Sequence, residues 1–383
     1  MFRCCKSLKN KKEFGRKNNP VIQPNPVIQP NPVIQPNPVH SHHSNNEHQS
    51  DSEHQYENKP QSDQSPQPVI IPKISSNINI NDIIYLDTYQ VISFINKGSF
   101  GEVYLVKNIH SDIKYAMKRI VITKNESIET EEFQSEVLFH QNYNHPNIVS
   151  CHDIFYKSKD GYHVTYYDVS HCIIYMVYEY MDTDLYALYN KYNLTNRDYN
   201  SILSDIINAL EYLHDNGIVH RDIKPQNILI SLNNNKCIAK LADFGSCYIP
   251  DKGITYNYDY IVTRWYRSPD ILFNRSVCSK SIDIWSLGCV FYEMISKKPL
   301  FDGETNNDMI KKIGSLLGKP PYIDTLDRKT KDILEQSTYN SYKIDNILPI
   351  YLDIIKTMVN YNSDSITQVK ETYHLFIKNQ IYV

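Results

Sequence analysis

No stretch of this chain approaches the ~18 consecutive apolar residues that a membrane-crossing helix needs. Its eight cysteines include no C-x-x-C pair, and no secretory h-region precedes them. That argues against a disulfide framework or a zinc site and for reduced cytosolic thiols. Net charge is only −3, which gives no footprint for nucleic acid. Phe2 stands where N-myristoylation requires glycine, so that lipid is excluded. The expected location is cytoplasmic, with the nucleus or the membrane periphery as alternatives.

Residues 1–84 differ in kind from the rest of the chain. Asn19-Pro20-Val21-Ile22-Gln23-Pro24 recurs at Asn25–Pro30 and Asn31–Pro36 and trails off at Asn37-Pro38-Val39. A hexad is two turns of polyproline II, so each repeat presents the same face. Proline at this density forbids helix and central strand. The segment reads as an extended spacer, or as a ligand for a partner's aromatic groove. His40, His42, His43, His48 and His54 come next in a Ser/Asn/Gln-rich tract. A disordered polar tail is the expectation there, ahead of metal binding. Cys4 and Cys5 lie among Arg3, Lys6, Lys9, Lys11 and Lys12; membrane association is expected only if both are acylated.

From residue 85 onward the pattern is globular. Strand-like runs at Tyr89–Ile95, Val103–Val106 and Tyr115–Ile120 predict a small antiparallel sheet joined by one helix. Tyr156–His171 reads as an insertion between two strands, with Ile173–Tyr180 as the second. Beyond it Ile202, Leu203, Ile206, Ile207, Leu210 and Leu213 recur at helical spacing and predict a core-facing helix.

The chemistry concentrates in His220-Arg221-Asp222-Ile223-Lys224-Pro225-Gln226-Asn227, with Asp243-Phe244-Gly245 downstream. A loop with a carboxylate, a lysine two residues on and an asparagine three beyond suits phosphoryl transfer. The Asp accepts a hydroxyl proton, the Lys meets the moving phosphate, and the Asn and the second Asp hold Mg²⁺. Upstream, Ile95-Asn96-Lys97-Gly98-Ser99-Phe100-Gly101-Glu102-Val103 reads as a glycine-rich turn whose backbone N–H groups can approach phosphates closely. Tyr115-Ala116-Met117-Lys118 comes after it on an apolar strand.

In this order and spacing, and with Trp265-Tyr266-Arg267-Ser268-Pro269-Asp270 after them, the motifs resemble those of a eukaryotic protein kinase. The resemblance covers roughly residues 87 to 378. It implies an α+β, two-lobed fold: a small lobe (85–180) of antiparallel sheet plus one helix, and a mainly helical large lobe (181–380), together a domain over 85–380. It implies ATP and Mg²⁺ as cofactors and protein substrates. Asp222, Lys224, Lys118 and Glu136 would be catalytic, and Asn227 and Asp243 metal-binding. The loop from Ile95 to Val103 with Ala116, Lys118, Glu179, Met181, Asp184 and Leu229 would bind nucleotide. Glu131 and Glu132 compete with Glu136 as the anionic partner of Lys118 but lie more than a turn away. Tyr178 would close the back of the adenine pocket, and Asp283 would hold the catalytic-loop backbone.

Thr263-Arg264-Trp265-Tyr266-Arg267-Ser268-Pro269 resembles the group of cyclin-dependent, mitogen-activated, glycogen synthase and dual-specificity tyrosine-regulated kinases. That implies Ser/Thr substrates with proline after the acceptor. It also implies activation by phosphate on Tyr258 or Tyr260, met by Arg221, Arg264 and Arg267. The helix around Glu136 lacks the cyclin-binding sequence, so no cyclin partner is expected. Three departures stand out. Asn96 replaces a family glycine. His140 replaces an aliphatic spine residue, where a buried imidazole needs a hydrogen bond or loses stability. The family Arg near Ser365, partner of the acidic residue at Asp270, is missing, so the large lobe is either weakened or repaired differently. These departures motivate the rival reading of a pseudokinase scaffold.

Overall fold

The computed structural model describes residues 88–374, apart from 99–100, 123–126, 159–171, 234–235, 251–262, 277, 340–346, 363–367 and 372. The tail with its repeats, Cys4 and Cys5 lies outside the described residues, as do Ser99, Phe100, Tyr258, Tyr260 and Ser365.

The first five strands are β1 (Tyr89–Gly98), β2 (Gly101–Asn108), β3 (Lys114–Val121), β4 (Cys151–Ser158) and β5 (Cys172–Glu179). They pair antiparallel in the order β1-β2-β3-β5-β4. The period-2 alternation of strands sends side chains to two faces. One face packs Tyr104, Val106, Met117, Tyr175 and Val177 together. The other sets Ile120, Ile174 and Met176 against Phe133 and Val137 of helix α1 (Ser127–Asn142). Lys118 and Tyr178 lie two residues from Ile120 and Met176 along their strands, so they share the α1 face. That alternation is what brings Lys118 to the helix.

The predicted small lobe is therefore present, with adjusted ends. β1 runs on to Gly98 because Lys97 and Gly98 pair with Glu102 and Gly101 across the turn. The insertion is shorter than expected. Tyr156, Lys157 and Ser158 pair with Ile174, Ile173 and Cys172 and belong to β4, and the stretch 159–171 lies outside the described residues.

The large lobe is built on α3 (Asn196–Asp215), after the short β6 (Thr183–Asp184) and α2 (Leu185–Lys191). Thr195 and Asp198 form a reciprocal capping box at the start of α3. Ile202, Leu203, Ile206, Ile207, Leu210 and Leu213 are all buried, as their spacing predicts. Opposite α3 lie β7 (Ile228–Asn233) and β8 (Lys236–Leu241), paired with β6 into a three-stranded sheet. Beyond the short α4 (Pro269–Leu272), α5 (Ser281–Ser296) is buried on nearly every side. At Gly288 it approaches α8 (Pro349–Met358) so closely that a Cβ would sit 2.6 Å from Val359 and 2.8 Å from Met358. Helices α6 (Asn306–Leu317) and α7 (Arg328–Glu335) lie between α5 and α8 in sequence.

The missing Arg is compensated locally. Asp270 accepts from Arg275 Nη1 at 3.5 Å and from the Ser281 hydroxyl. The Arg275 guanidinium in turn lies 3.6 Å from the centre of the Tyr322 ring. Of the two outcomes the sequence left open, the described residues show repair.

Candidate active site

Between α3 and β7 the chain makes a loop whose shape is set from beneath. Asp283 of α5 is fully buried. It accepts from the backbone N–H groups of His220 and Arg221, both at 2.8 Å, and pairs with His214 Nε2 at 2.9 Å. Burial pushes the Asp283 carboxyl up, but the His214 hydrogen bond and the neighbouring His214 and His220 outweigh it and hold it low. Arg221 adopts φ +68°, a conformation costly for a side chain with a Cβ. The carboxylate beneath the loop offsets that strain.

Asp222, next in sequence, accepts on Oδ2 from Lys224 Nζ at 2.6 Å and from Asn227 Nδ2 at 3.1 Å. Its Oδ1 accepts from the Thr263 N–H at 3.2 Å and hydroxyl at 3.1 Å. One carboxylate oxygen is thus held by the loop and the other faces an exposed threonine. Asn227 spends its amide nitrogen on Asp222, which turns its amide oxygen the other way.

Asp243 enters from the end of β8 with φ +67°. Lys118 Nζ spans Glu136 Oε2 at 2.7 Å and Asp243 Oδ1 at 3.3 Å. Burial disfavours charge on Lys118, but Asp243 and Glu136 more than offset it, so its pKa is raised. Burial raises Asp243 less than Lys118 and Lys224 lower it, so its pKa is depressed and it stands ionised. Phe244 is locked behind it, stacked on Phe139 at 3.7 Å and edge-on to His220 at 4.9 Å. The expected competitors Glu131 and Glu132 are not needed: Glu136 is the partner of Lys118.

These groups face a cleft of about 480 Å³ between the two sheets. Its apolar walls include Val103, Ala116, Met181 and Leu229, as a flat aromatic base requires. Asn227 and Asp243 line its inner end together. Two hard oxygen donors suit Mg²⁺, which keeps waters and takes its other ligands from substrate phosphates. Among the described residues no group of three His, Cys, Asp or Glu could hold a metal by itself.

The protein kinase domain family matches residues 89–373, well over half of the chain. The chain belongs to the protein kinase family. Its relatives include mitogen-activated protein kinase 6 of Arabidopsis thaliana, 29% identical over 276 residues, 70% of this chain and 67% of the relative. The human MAPK/MAK/MRK overlapping kinase is 31% identical over 288 residues, 73% of this chain and 65% of the relative. The matched stretch thus spans about two thirds of the length of these relatives. The domain is of the serine/threonine kinase type, with ATP and Mg²⁺ as its cofactors, and its fold is the two-lobed one.

Within this kinase domain most of the nucleotide residues read from sequence line the cleft. Ile95, Asn96, Gly101, Val103, Ala116, Lys118, Glu179, Met181, Asp184 and Leu229 line the cleft. Lys97 and Glu102 do not: they form an ion pair with each other at 3.8 Å, and Glu102 also accepts from Tyr104 and Arg119. Strand alternation along β2 turns Glu102 away while Gly101 and Val103 face in. Gly101 itself admits no side chain, since a Cβ would meet the Arg119 carbonyl at 2.4 Å. Asp184 caps α2 by accepting from Ala187 N–H at 2.8 Å.

Val149, Gln226 and Ala242 also line the cleft; Gln226 stands inside the 220–227 motif and Ala242 beside Asp243, whereas no quoted motif includes Val149. Lys240 carried no signal; it clamps Glu179 through both carboxylate oxygens at 2.8 Å, tying β8 to the end of β5. Arg221 donates through Nε to the Ser246 carbonyl at 2.6 Å. Arg264 reaches Glu304 O just before α6 (2.6 Å), and Arg267 reaches Asn306 Oδ1 at its first residue (2.9 Å). Tyr266, between them, is fixed with Tyr189 on the buried carboxylate of Glu293.

His140 sits in an aromatic box, edge-on to Phe139, Tyr178 and Phe244 at 5.2, 5.3 and 5.5 Å. Among the described residues its imidazole makes no hydrogen bond. Burial, and then the charge of Lys118, push its pKa down to about 3. The unfolded chain takes up this proton near pH ~6.5 and the folded chain does not. Stability contributed by the neutral ring is therefore full above that pH and declines as pH falls toward 3. His140→Leu is expected to remove this slope, at most about 1.4 kcal/mol per pH unit. Melting curves at pH 7 and pH 5 check it: the variant's advantage should grow at the lower pH.

Proposed function

We propose that this chain transfers the γ-phosphoryl of ATP to Ser and Thr hydroxyls of protein substrates. The observation that carries the reading is Lys118 bridging Glu136 and Asp243 while Asp222 stands beside Lys224 and Asn227. Lys118 and the glycine-rich turn position the phosphates. Asn227 and Asp243 would hold Mg²⁺, which when bound would supply charge neutralisation at the phosphates. Asp222 orients and deprotonates the hydroxyl, and Lys224 meets the transferring group. Catalysis is then mostly positioning and electrostatics.

Proline after the acceptor is proposed from the Thr263–Pro269 motif and from relatives named as mitogen-activated kinases. Activation by phosphate on Tyr260 is proposed as well. A phosphate adds about −1.5 to −2 charges, and arginines four and seven residues on can bind it bidentately. The tail (residues 1–84) is proposed as a spacer that offers its repeats to a partner's groove, and the location as cytoplasmic. Acylation of Cys4 and Cys5 would move the chain to the membrane periphery.

Labelled ATP, an oriented peptide library and an Asp222→Asn control test the activity. Turnover on the order of 1–100 s⁻¹ with proline selected after Ser or Thr is expected of the activated enzyme. Nucleotide binding with no transfer would leave the scaffold reading instead. Mass spectrometry of active material should find phosphate on Tyr260, and Tyr260→Phe should lower activity more than Tyr256→Phe. Full activity with unmodified Tyr260 would overturn the regulatory part.

A further inference from the structure

Glu136 is held from two strands, and only one of its partners is the expected lysine. Lys118 of β3 donates to Oε2 at 2.7 Å. The hydroxyl of Tyr178, on neighbouring β5, donates to Oε1 at 2.6 Å. Glu136 is 3% exposed, so both of its oxygens need donors, and these two supply them. We propose that the Tyr178 hydroxyl is a positioning residue for phosphotransfer: it fixes the Glu136 carboxylate so that Lys118 is presented to the nucleotide phosphates. The inference rests on the reading of Lys118 and Glu136 given under Proposed function.

The register explains how Tyr178 can do this. Ala116 pairs with Tyr178 and Lys118 with Met176, so all four side chains rise on the α1 face of the sheet. A carboxylate gripped at one oxygen can pivot about that contact. Gripped at both, from adjacent strands, it sets the position and the rotation of α1 at Glu136. The strength of the second grip matters because Lys118 has an alternative. Asp243 lies 3.3 Å from the same ammonium, and a Glu136 free to pivot would leave Lys118 to Asp243, the carboxylate needed for Mg²⁺.

The phenol is suited to the task. Burial and the Glu136 charge raise its pKa well above the usual tyrosine range, so it remains a neutral donor. Its ring is braced edge-on by His140 at 5.3 Å. Met176 Sδ, at 3.4 Å, is the only other acceptor the described residues offer this hydroxyl, and a thioether is a weak one.

The test is a kinetic cycle in the 383-residue chain with Tyr178→Phe, Glu136→Gln and the double variant. Tyr178→Phe keeps the ring and deletes one hydrogen bond to a charged group, so kcat/KM for ATP should fall about tenfold. KM for the peptide should stay where it is, and the melting temperature should move by no more than a few degrees. In the Glu136→Gln background the same change should cost less than about twofold, because the two groups act as a unit. Wild-type kinetics for Tyr178→Phe, with Glu136→Gln impaired, would overturn the inference alone. So would an equal loss in both backgrounds, or a large fall in melting temperature with ATP and peptide KM rising together. Full activity of Glu136→Gln would overturn the reading of the Lys118–Glu136 pair itself, and this inference with it.

Discussion

Asp222→Asn is expected to lower phosphotransfer by about 10²–10⁴-fold, the usual contribution of a positioned general base. The substitution keeps the shape and can still accept from Lys224, but an amide takes no proton from the incoming hydroxyl. The Oδ1 atom, now occupied by Thr263 N–H and Oγ1, is where that hydroxyl must bind. The melting temperature should stay within a degree or two of the wild type. The side chain is 14% exposed and belongs to no apolar core cluster. Lys118→Met should abolish activity comparably yet behave differently in the melt. It leaves Glu136 buried with Tyr178 as its one donor among the described residues and removes one of the two lysines that lower the Asp243 pKa. Breaking a buried pair from one side costs about 3–5 kcal/mol, so Lys118→Met should melt several degrees lower. Single-turnover assays beside melting curves check both variants. Near wild-type turnover by pure Asp222→Asn protein would sink the catalytic assignment.

Asp283→Ala is expected to remove both stability and activity although Asp283 lies outside the cleft lining. It would orphan the buried N–H groups of His220 and Arg221 and the His214 ring nitrogen together. Breaking a buried charged pair by removing one partner costs about 3–5 kcal/mol. For a domain of this size that is a drop of roughly 10 °C. The kinetic effect comes from Arg221: its φ of +68° holds the backbone in a strained bend only while Asp283 takes its N–H. Relaxation there moves Asp222, the next residue. Because the Asp283 carboxyl is depressed, its stabilisation is present above the usual carboxylate range and lost as pH falls through it. The difference in stability between wild type and Asp283→Ala should therefore be full at pH 7 and shrink in acid. A variant that melts like the wild type, or retains full turnover, would contradict this role.

Much of this was legible in the chain itself. The catalytic residues lie in short contiguous motifs because one tight loop must carry base, lysine and metal ligand within a few ångströms of each other. Local spacing therefore encodes local geometry. The helical period from Ile202 to Leu213 predicts α3 because burial of one stripe is what forms that helix. Ends of elements were less legible. Tyr156, Lys157 and Ser158 are polar enough to read as loop, yet they pair with β5 because hydrogen bonding across the ladder, not side-chain polarity, extends a strand.

What the sequence determined by itself is the family and the order of the motifs, since these depend on residue types at fixed separations. The tertiary structure decided which groups meet across long separations. Glu136 reaches Lys118 because its position on α1 faces β3. Arg275 and Ser281 take up Asp270 in place of a more distant arginine, because the turn after α4 brings them there. Tyr178 reaches Glu136 across 42 residues, because β3 and β5 are neighbours in the sheet although not in the chain. Side-chain contacts of that kind depend on register and face, and no local pattern in a single sequence records either.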